Sequence, residues 1–180
     1  MEVRENGQVI PKVCERAAHS QFTNFLDSNN VIRHLQSGNR KLHSTESALL
    51  HFTDELLNNM DQKKISVIVL LDMSKAFDSI RHDLMLRKLR KAGVSESACA
   101  WFESYLSQRQ QVVKFQNTVS DPLPLTVGVR QGSIMGPVLF TLYVNDLFRV
   151  PKHCEPLGYV DDTKLFFGFP PANLTTLSLQ

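Results

Sequence analysis

An α+β fold is predicted by three features of the 180-residue chain. Apolar residues recur at helical spacing from Ile10 to Leu26 and again from Ala48 to Met60. The stretch "ISVIVLLD", residues 65–72, is an unbroken β-branched and aliphatic run. "GYVDDTKLFFGF", Gly158 to Phe169, sets β-prone runs on either side of two adjacent aspartates, as at the tip of a hairpin.

The elements follow in order. Ile10, Val13, Cys14, Ala17, Phe22, Phe25 and Leu26 predict a helix packed by one face and stopped at "DSNN". After the polar stretch "HLQSGNRKLHST", a second helix is predicted on Ala48, Leu49, Phe52, Leu56 and Met60, with Ser44 or Thr45 as N-cap. The run ending at Asp72 reads as a strand buried on both faces, delivering a carboxylate at its C-terminal end. "HDLMLRKLRKAG" then gives a helix ending at Gly93, for which Asp78 is the expected cap. Its basic residues, Arg87, Lys88, Arg90 and Lys91, read as a solvated cluster favoured by the helix dipole. Ser95 caps a further helix whose stripe of Ala98, Trp101, Phe102, Tyr105 and Leu106 faces the core. "QQVVKF" and "PLPLTVGV" are short strands around a turn, with Pro122 and Pro124 suited to an edge. The loop "GVRQG" leads into an apolar helix from about Ser133, with Pro137 in its first turn.

At 42% hydrophobic the chain can build one sizeable core or two small lobes. A net charge of +2 is too mild to argue for a polyanionic partner by itself. Cys14, Cys99 and Cys154 are odd in number and lack paired spacing, which points away from a disulfide framework or a zinc site. No apolar leader follows Met1, and "VIVLL" is far too short to span a bilayer. The expected location is therefore intracellular, nuclear or cytoplasmic, and not secreted or membrane-bound.

The chemistry turns on the carboxylates. Asp161 and Asp162 repel each other, so the pair is either a solvated turn or a ligand set whose charge a divalent cation cancels. Asp72 at a strand end adds a third hard oxygen ligand. Three such groups suit a two-metal site, in which the cations activate a hydroxyl and neutralise phosphate charge.

Taken together, "VIVLLDMSKAFDSI", "GVRQGSIMGPVLF" and "YVDD", in that order, resemble the reverse transcriptases of non-LTR (LINE-like) retrotransposons. The similarity spans roughly Val9 to Phe167, including "HDLMLRKLRKAGVSESACAWFESYLSQRQQVV" and "SDPLP". It implies a right-hand polymerase architecture of fingers and palm, with a small antiparallel palm sheet packed on helices, residues 9–64 being fingers-like and residues 65–169 mainly palm with interleaved fingers elements. It also implies that Asp72, Asp161 and Asp162 are the catalytic, metal-binding triad, served by Mg²⁺ or Mn²⁺. By the same resemblance Phe77 underlies the incoming sugar and excludes a 2′-hydroxyl, Gln131 and Gly132 touch nucleotide and template, and Tyr159 lies beside the primer end. Arg40, in "SGNRKLHST", corresponds to a triphosphate clamp, the alternative being a solvated basic loop. The implied partners are an RNA template, a DNA primer and dNTPs.

Arg130 stands where the family has proline, and Asn39 where it has an aromatic. The thumb, the remaining palm motifs and the upstream fingers motifs are expected to be absent, so residues 1–180 read as a partial reverse transcriptase domain, incomplete by itself. The alternative is a catalytically inactive retrotransposon remnant that binds nucleic acid or protein. A phosphoacceptor α/β domain is disfavoured by order, because its acidic pair precedes the acceptor aspartate.

Overall fold

In the computed structural model the described residues are 9–38, 43–107, 109–130 and 132–171. The helices are α1 (Val9–Ser28), α2 (Thr45–Asp61), α3 (His82–Lys91), α4 (Glu96–Leu106) and α5 (Gly136–Val144). The strands are β1 (Ile65–Leu71), β2 (Arg109–Gln111), β3 (Lys114–Phe115), β4 (Thr118–Val119), β5 (Leu123–Leu125), β6 (Glu155–Tyr159) and β7 (Asp162–Phe169). They divide into two units, each built from two separate stretches of chain: the first runs through Val31 and resumes over Lys75–Tyr143, and the second takes Ile32–Ser74 and resumes at Val144.

The first unit is a helical cluster. Phe22 of α1 meets Phe102 of α4 edge-on at 4.8 Å, and Met85, Leu89, Cys99, Leu106 and Leu139 are fully or almost fully buried. Each such side chain contributes about 1.5–3 kcal/mol of burial free energy. Helix α3 ends as its glycine foretells: Gly93 takes φ +86, its N–H donates to the Arg90 carbonyl and that of Val94 to the Leu89 carbonyl. Two residues later the Ser95 hydroxyl accepts the Ala98 N–H and opens α4. The α4 stripe differs from expectation at its rim: Trp101 is 38% exposed and stacks on Tyr105 at 5.3 Å. Likewise Val13 and Cys14, expected on the packed face of α1, are exposed. Two small antiparallel ribbons, β2 with β5 and β3 with β4, complete the unit.

Two helix starts depart from the sequence reading. Asp78 does not cap α3; it lies in a 3-10 turn, Phe77–Ser79, and the N-cap residue is Arg81, with no side-chain cap bond. The extended backbone of Ile80 carries the chain past Asp78, leaving its carboxylate one turn too early to reach the helix amides. Helix α5 begins at Gly136, not Ser133, because the three preceding residues form its cap: the Ser133 hydroxyl accepts the Gly136 N–H at 2.9 Å, and the Ile134 and Met135 N–H groups donate to Glu15.

The 3-10 turn is bound to the strand-like segment before α5. Gly128 donates to the Ile80 carbonyl at 2.7 Å, Val129 donates to the Phe77 carbonyl at 3.0 Å, and His82 Nε2 lies 2.8 Å from the Gly128 carbonyl oxygen. Gly128 has φ +87, and a Cβ there would lie 3.1 Å from the Asp78 Cα. Gly128→Ala is therefore expected to cost about 1–3 kcal/mol through left-handed strain and backbone crowding, read as a lower urea midpoint at unchanged slope.

The second unit is a three-stranded antiparallel sheet in the order β1-β7-β6, with α2 against one face. A capping box starts α2: Ser44 and Ser47 each accept the other's backbone N–H. Phe52 meets Phe166 edge-on at 5.9 Å, with the Lys164 ammonium over the Phe52 ring at 4.9 Å. The deepest α2 residue is Asn59, which donates to the Ser66 hydroxyl at 3.1 Å and fills the space left by Gly168. Leu49 and Met60, expected to pack, are 59% and 68% exposed. Strand β1 is a correction too: it is an edge strand, and Val67 through Leu71 are exposed instead of buried on both faces. No helix among the described residues is long and apolar enough to cross a membrane.

Candidate active site

The carboxylates singled out by the sequence all fall in the second unit. Strands β6 and β7 close a hairpin whose last pair is Tyr159 with Asp162, so Val160 and Asp161 form a two-residue turn. Such turns need a left-handed residue, supplied here by Val160 at φ +57, a conformation β-branched residues avoid. Asp161 is half-buried at the tip and Asp162 is exposed at the head of β7.

Strand β1 pairs with β7 as far as Leu71 and Thr163, so Asp72 directly follows the last paired residue of β1 and Asp162 directly precedes its partner on β7. Both carboxylates therefore stand at the same end of the sheet. Asp161 follows in the turn. The three do not form a closed ligand set: among the described residues no group of three or more His, Cys, Asp or Glu side chains is arranged to hold a metal ion. The donor chemistry nevertheless fits a hard divalent cation, being carboxylate oxygen without thiol or imidazole.

Tyr159 is half-buried beside Asp162. In the other unit, Phe77 is half-buried with its ring 5.1 Å from that of Phe140. Gly132 is exposed at φ +74, with nothing within 4 Å of where a Cβ would stand. Gln131, Arg40 and Lys41, with Asn39, lie outside the described residues.

The supports of these groups escaped the sequence reading. Gln36, fully buried, bonds to both backbone groups of Val160. Glu15, 8% exposed, accepts the Tyr105 hydroxyl at 2.6 Å and the Ile134 and Met135 N–H groups at 3.0 and 3.1 Å, anchoring the loop that carries Gly132. Burial, and then the neighbouring Glu15, push the Tyr105 phenol well above its ordinary pKa, so it stays a donor.

The chain is thus an α+β protein, with one unit a helical cluster and the other a small antiparallel sheet that carries the two aspartates at its hairpin. The family model described as reverse transcriptase (RNA-dependent DNA polymerase) matches residues 7–176, and the chain belongs to that family. It is 28% identical over 178 residues to the probable RNA-directed DNA polymerase from transposon BS of Drosophila melanogaster, a match covering 95% of this chain and 20% of that protein. The RNA-directed DNA polymerase from mobile element jockey, also of Drosophila melanogaster, is 28% identical over 153 residues, covering 85% of this chain and 16% of its own length. The chain thus spans about a fifth or less of these relatives. Among solved structures, telomerase from Candida albicans, determined with a fragment of telomeric RNA, superimposes with a TM-score of 0.56 at 15% identity, over 91% of this chain and 30% of that one. That likeness is one of fold.

Proposed function

We propose that this chain is catalytic-core sequence, fingers and palm, of an RNA-directed DNA polymerase of the non-LTR retrotransposon type, joining dNTPs to the 3′ hydroxyl of a DNA primer on an RNA template. The observation that supports the proposal is the β1–β7 register, which brings Asp72 and Asp162 to the same end of the sheet, with Asp161 in the adjoining turn. Asp72, Asp161 and Asp162 would hold the divalent cations, for which an all-oxygen set favours Mg²⁺, with Mn²⁺ as a substitute. Bound there, the metals would lower the pKa of the attacking hydroxyl and offset charge on the phosphates. Phe77, leaning on Phe140, gives the nucleotide sugar a rigid wall. Gly132 lets backbone approach the nucleotide and template, and Gln131 supplies an amide beside it. Tyr159 meets the primer end, and Arg40 binds the triphosphate.

The test is Mg²⁺-dependent extension of a DNA primer on an RNA template by the purified protein. Absence of extension with either metal, together with absence of metal binding, would overturn the proposal. The role of Phe77 has its own readout: Phe77→Val is expected to raise ribonucleotide relative to deoxyribonucleotide incorporation by about tenfold or more, since the lost ring opens space for a 2′-hydroxyl. Unchanged discrimination in single-nucleotide incorporation would assign the ring to packing on Phe140 alone.

A further inference from the structure

We propose that Gln36 is a positioning residue that locks the acidic hairpin in a left-handed turn and so sets where Asp161 and Asp162 stand. The inference rests on the metal-binding role given to those aspartates above.

The segment holding Gln36 lies alongside β6. Gly158 donates to the Leu35 carbonyl at 2.8 Å, and Ser37 donates to the Gly158 carbonyl at 2.9 Å. These bonds carry the Gln36 side chain to the turn, where it is 0% exposed. Its Oε1 accepts the N–H groups of Gly38, at 3.0 Å, and Val160, at 3.2 Å, while Nε2 donates to the Val160 carbonyl at 3.2 Å. One amide therefore fixes the peptides on both sides of Val160, and the second of these leads directly into Asp161. Only a side chain that both donates and accepts can do this.

The residue so held is the one that most needs holding. Val160 sits at φ +57, which disfavours a β-branched side chain. Glycine or asparagine would take the conformation unaided. Room for the clamp comes from Gly38, where a Cβ would fall 2.3 Å from the Val160 nitrogen. A fully buried amide, a close glycine and a strained turn converge on the peptide before the tip aspartate.

The test uses the ¹⁵N-labelled full chain, with hydrogen exchange of the residue-160 amide and Mn²⁺ titration followed by broadening of the hairpin amides. Gln36→Met keeps the volume and removes both amide functions. It is expected to speed exchange of the Val160 amide and to raise the Mn²⁺ half-point, each by a factor of roughly 5 to 30. Adding Val160→Gly, which needs no clamp to hold φ above zero, is expected to restore the Mn²⁺ half-point to near the wild-type value. Wild-type exchange and Mn²⁺ response in Gln36→Met would overturn the inference, as would a weakened response that Val160→Gly leaves unrepaired. If wild type shows no Mn²⁺ broadening, the metal-site reading fails instead, and the exchange rate alone decides whether Gln36 holds the turn. If Gln36→Met does not fold, the wild-type Val160 amide decides: protection like that of β7 supports the clamp, and exchange at the rate of an open turn overturns it.

Discussion

Asp161→Asn is expected to lower Mg²⁺-dependent primer extension by roughly a thousandfold or more, equivalent to about 4 kcal/mol of transition-state stabilisation. Asparagine keeps the shape of the turn but carries no charge to bind a cation, and no other acidic residue occupies the tip between Tyr159 and Asp162. The fold is expected to survive. Asp161 is only half-buried, and neutralising it relieves repulsion with Asp162, so without metal the variant melts at the wild-type temperature or slightly above. Mg²⁺ is expected to raise the melting temperature of wild type and not that of the variant. Identical melting of the two proteins with and without Mg²⁺ would remove the main support for the metal site.

The largest expected loss of stability belongs to Glu15→Ala, at about 3–5 kcal/mol in urea denaturation. The carboxylate accepts three hydrogen bonds in the buried space between α1, α4 and the start of α5. Its removal takes away the acceptor of the fully buried Met135 N–H, leaves the Tyr105 hydroxyl with Ser133 alone and opens a cavity. Glu15→Gln keeps an acceptor but not the charge that favours the N-terminus of α5, so a milder loss of about 1–2 kcal/mol is expected. Equal losses in the two variants would show that packing, and not the hydrogen-bonded carboxylate, is what matters at this position.

The elements were legible wherever a local rule determined them. Gly93 ended α3 because only a left-handed residue suits that stop, Ser44 and Ser95 opened helices as caps, and the two aspartates marked the hairpin. Burial was less legible because it depends on partners distant in sequence. "ISVIVLL" has the composition of a central strand yet lies at an edge, and α2 buries Asn59 while Met60 stays exposed. The polar supports were harder still. Gln36 lies in a stretch read as a loop, with no periodicity to mark it. Glu15 did leave a trace, seven residues before Phe22 and therefore on the same helical face, where a charged residue implies a buried partner. The partner, the amides leading into α5, is some 120 residues away and carries no local signal.

The alternation of chain segments between the two units also shapes how the protein is made. On a ribosome, β1 emerges well before β7, its one strand neighbour among the described residues, which follows roughly 90 residues later, a wait of several seconds at ordinary elongation rates. Throughout that interval five consecutive apolar residues, Val67 to Leu71, have no native strand beside them. The first unit intervenes, since its second stretch, Lys75–Tyr143, is synthesised in the gap and can condense on α1 before the sheet exists. The nascent chain would thus pass through a stage with a finished helical cluster and an unpaired strand. At that stage chaperone capture or aggregation would compete with folding, and the charges that flank the run, Lys63 and Lys64 ahead of β1 and Asp72 directly after it, would discourage mispairing.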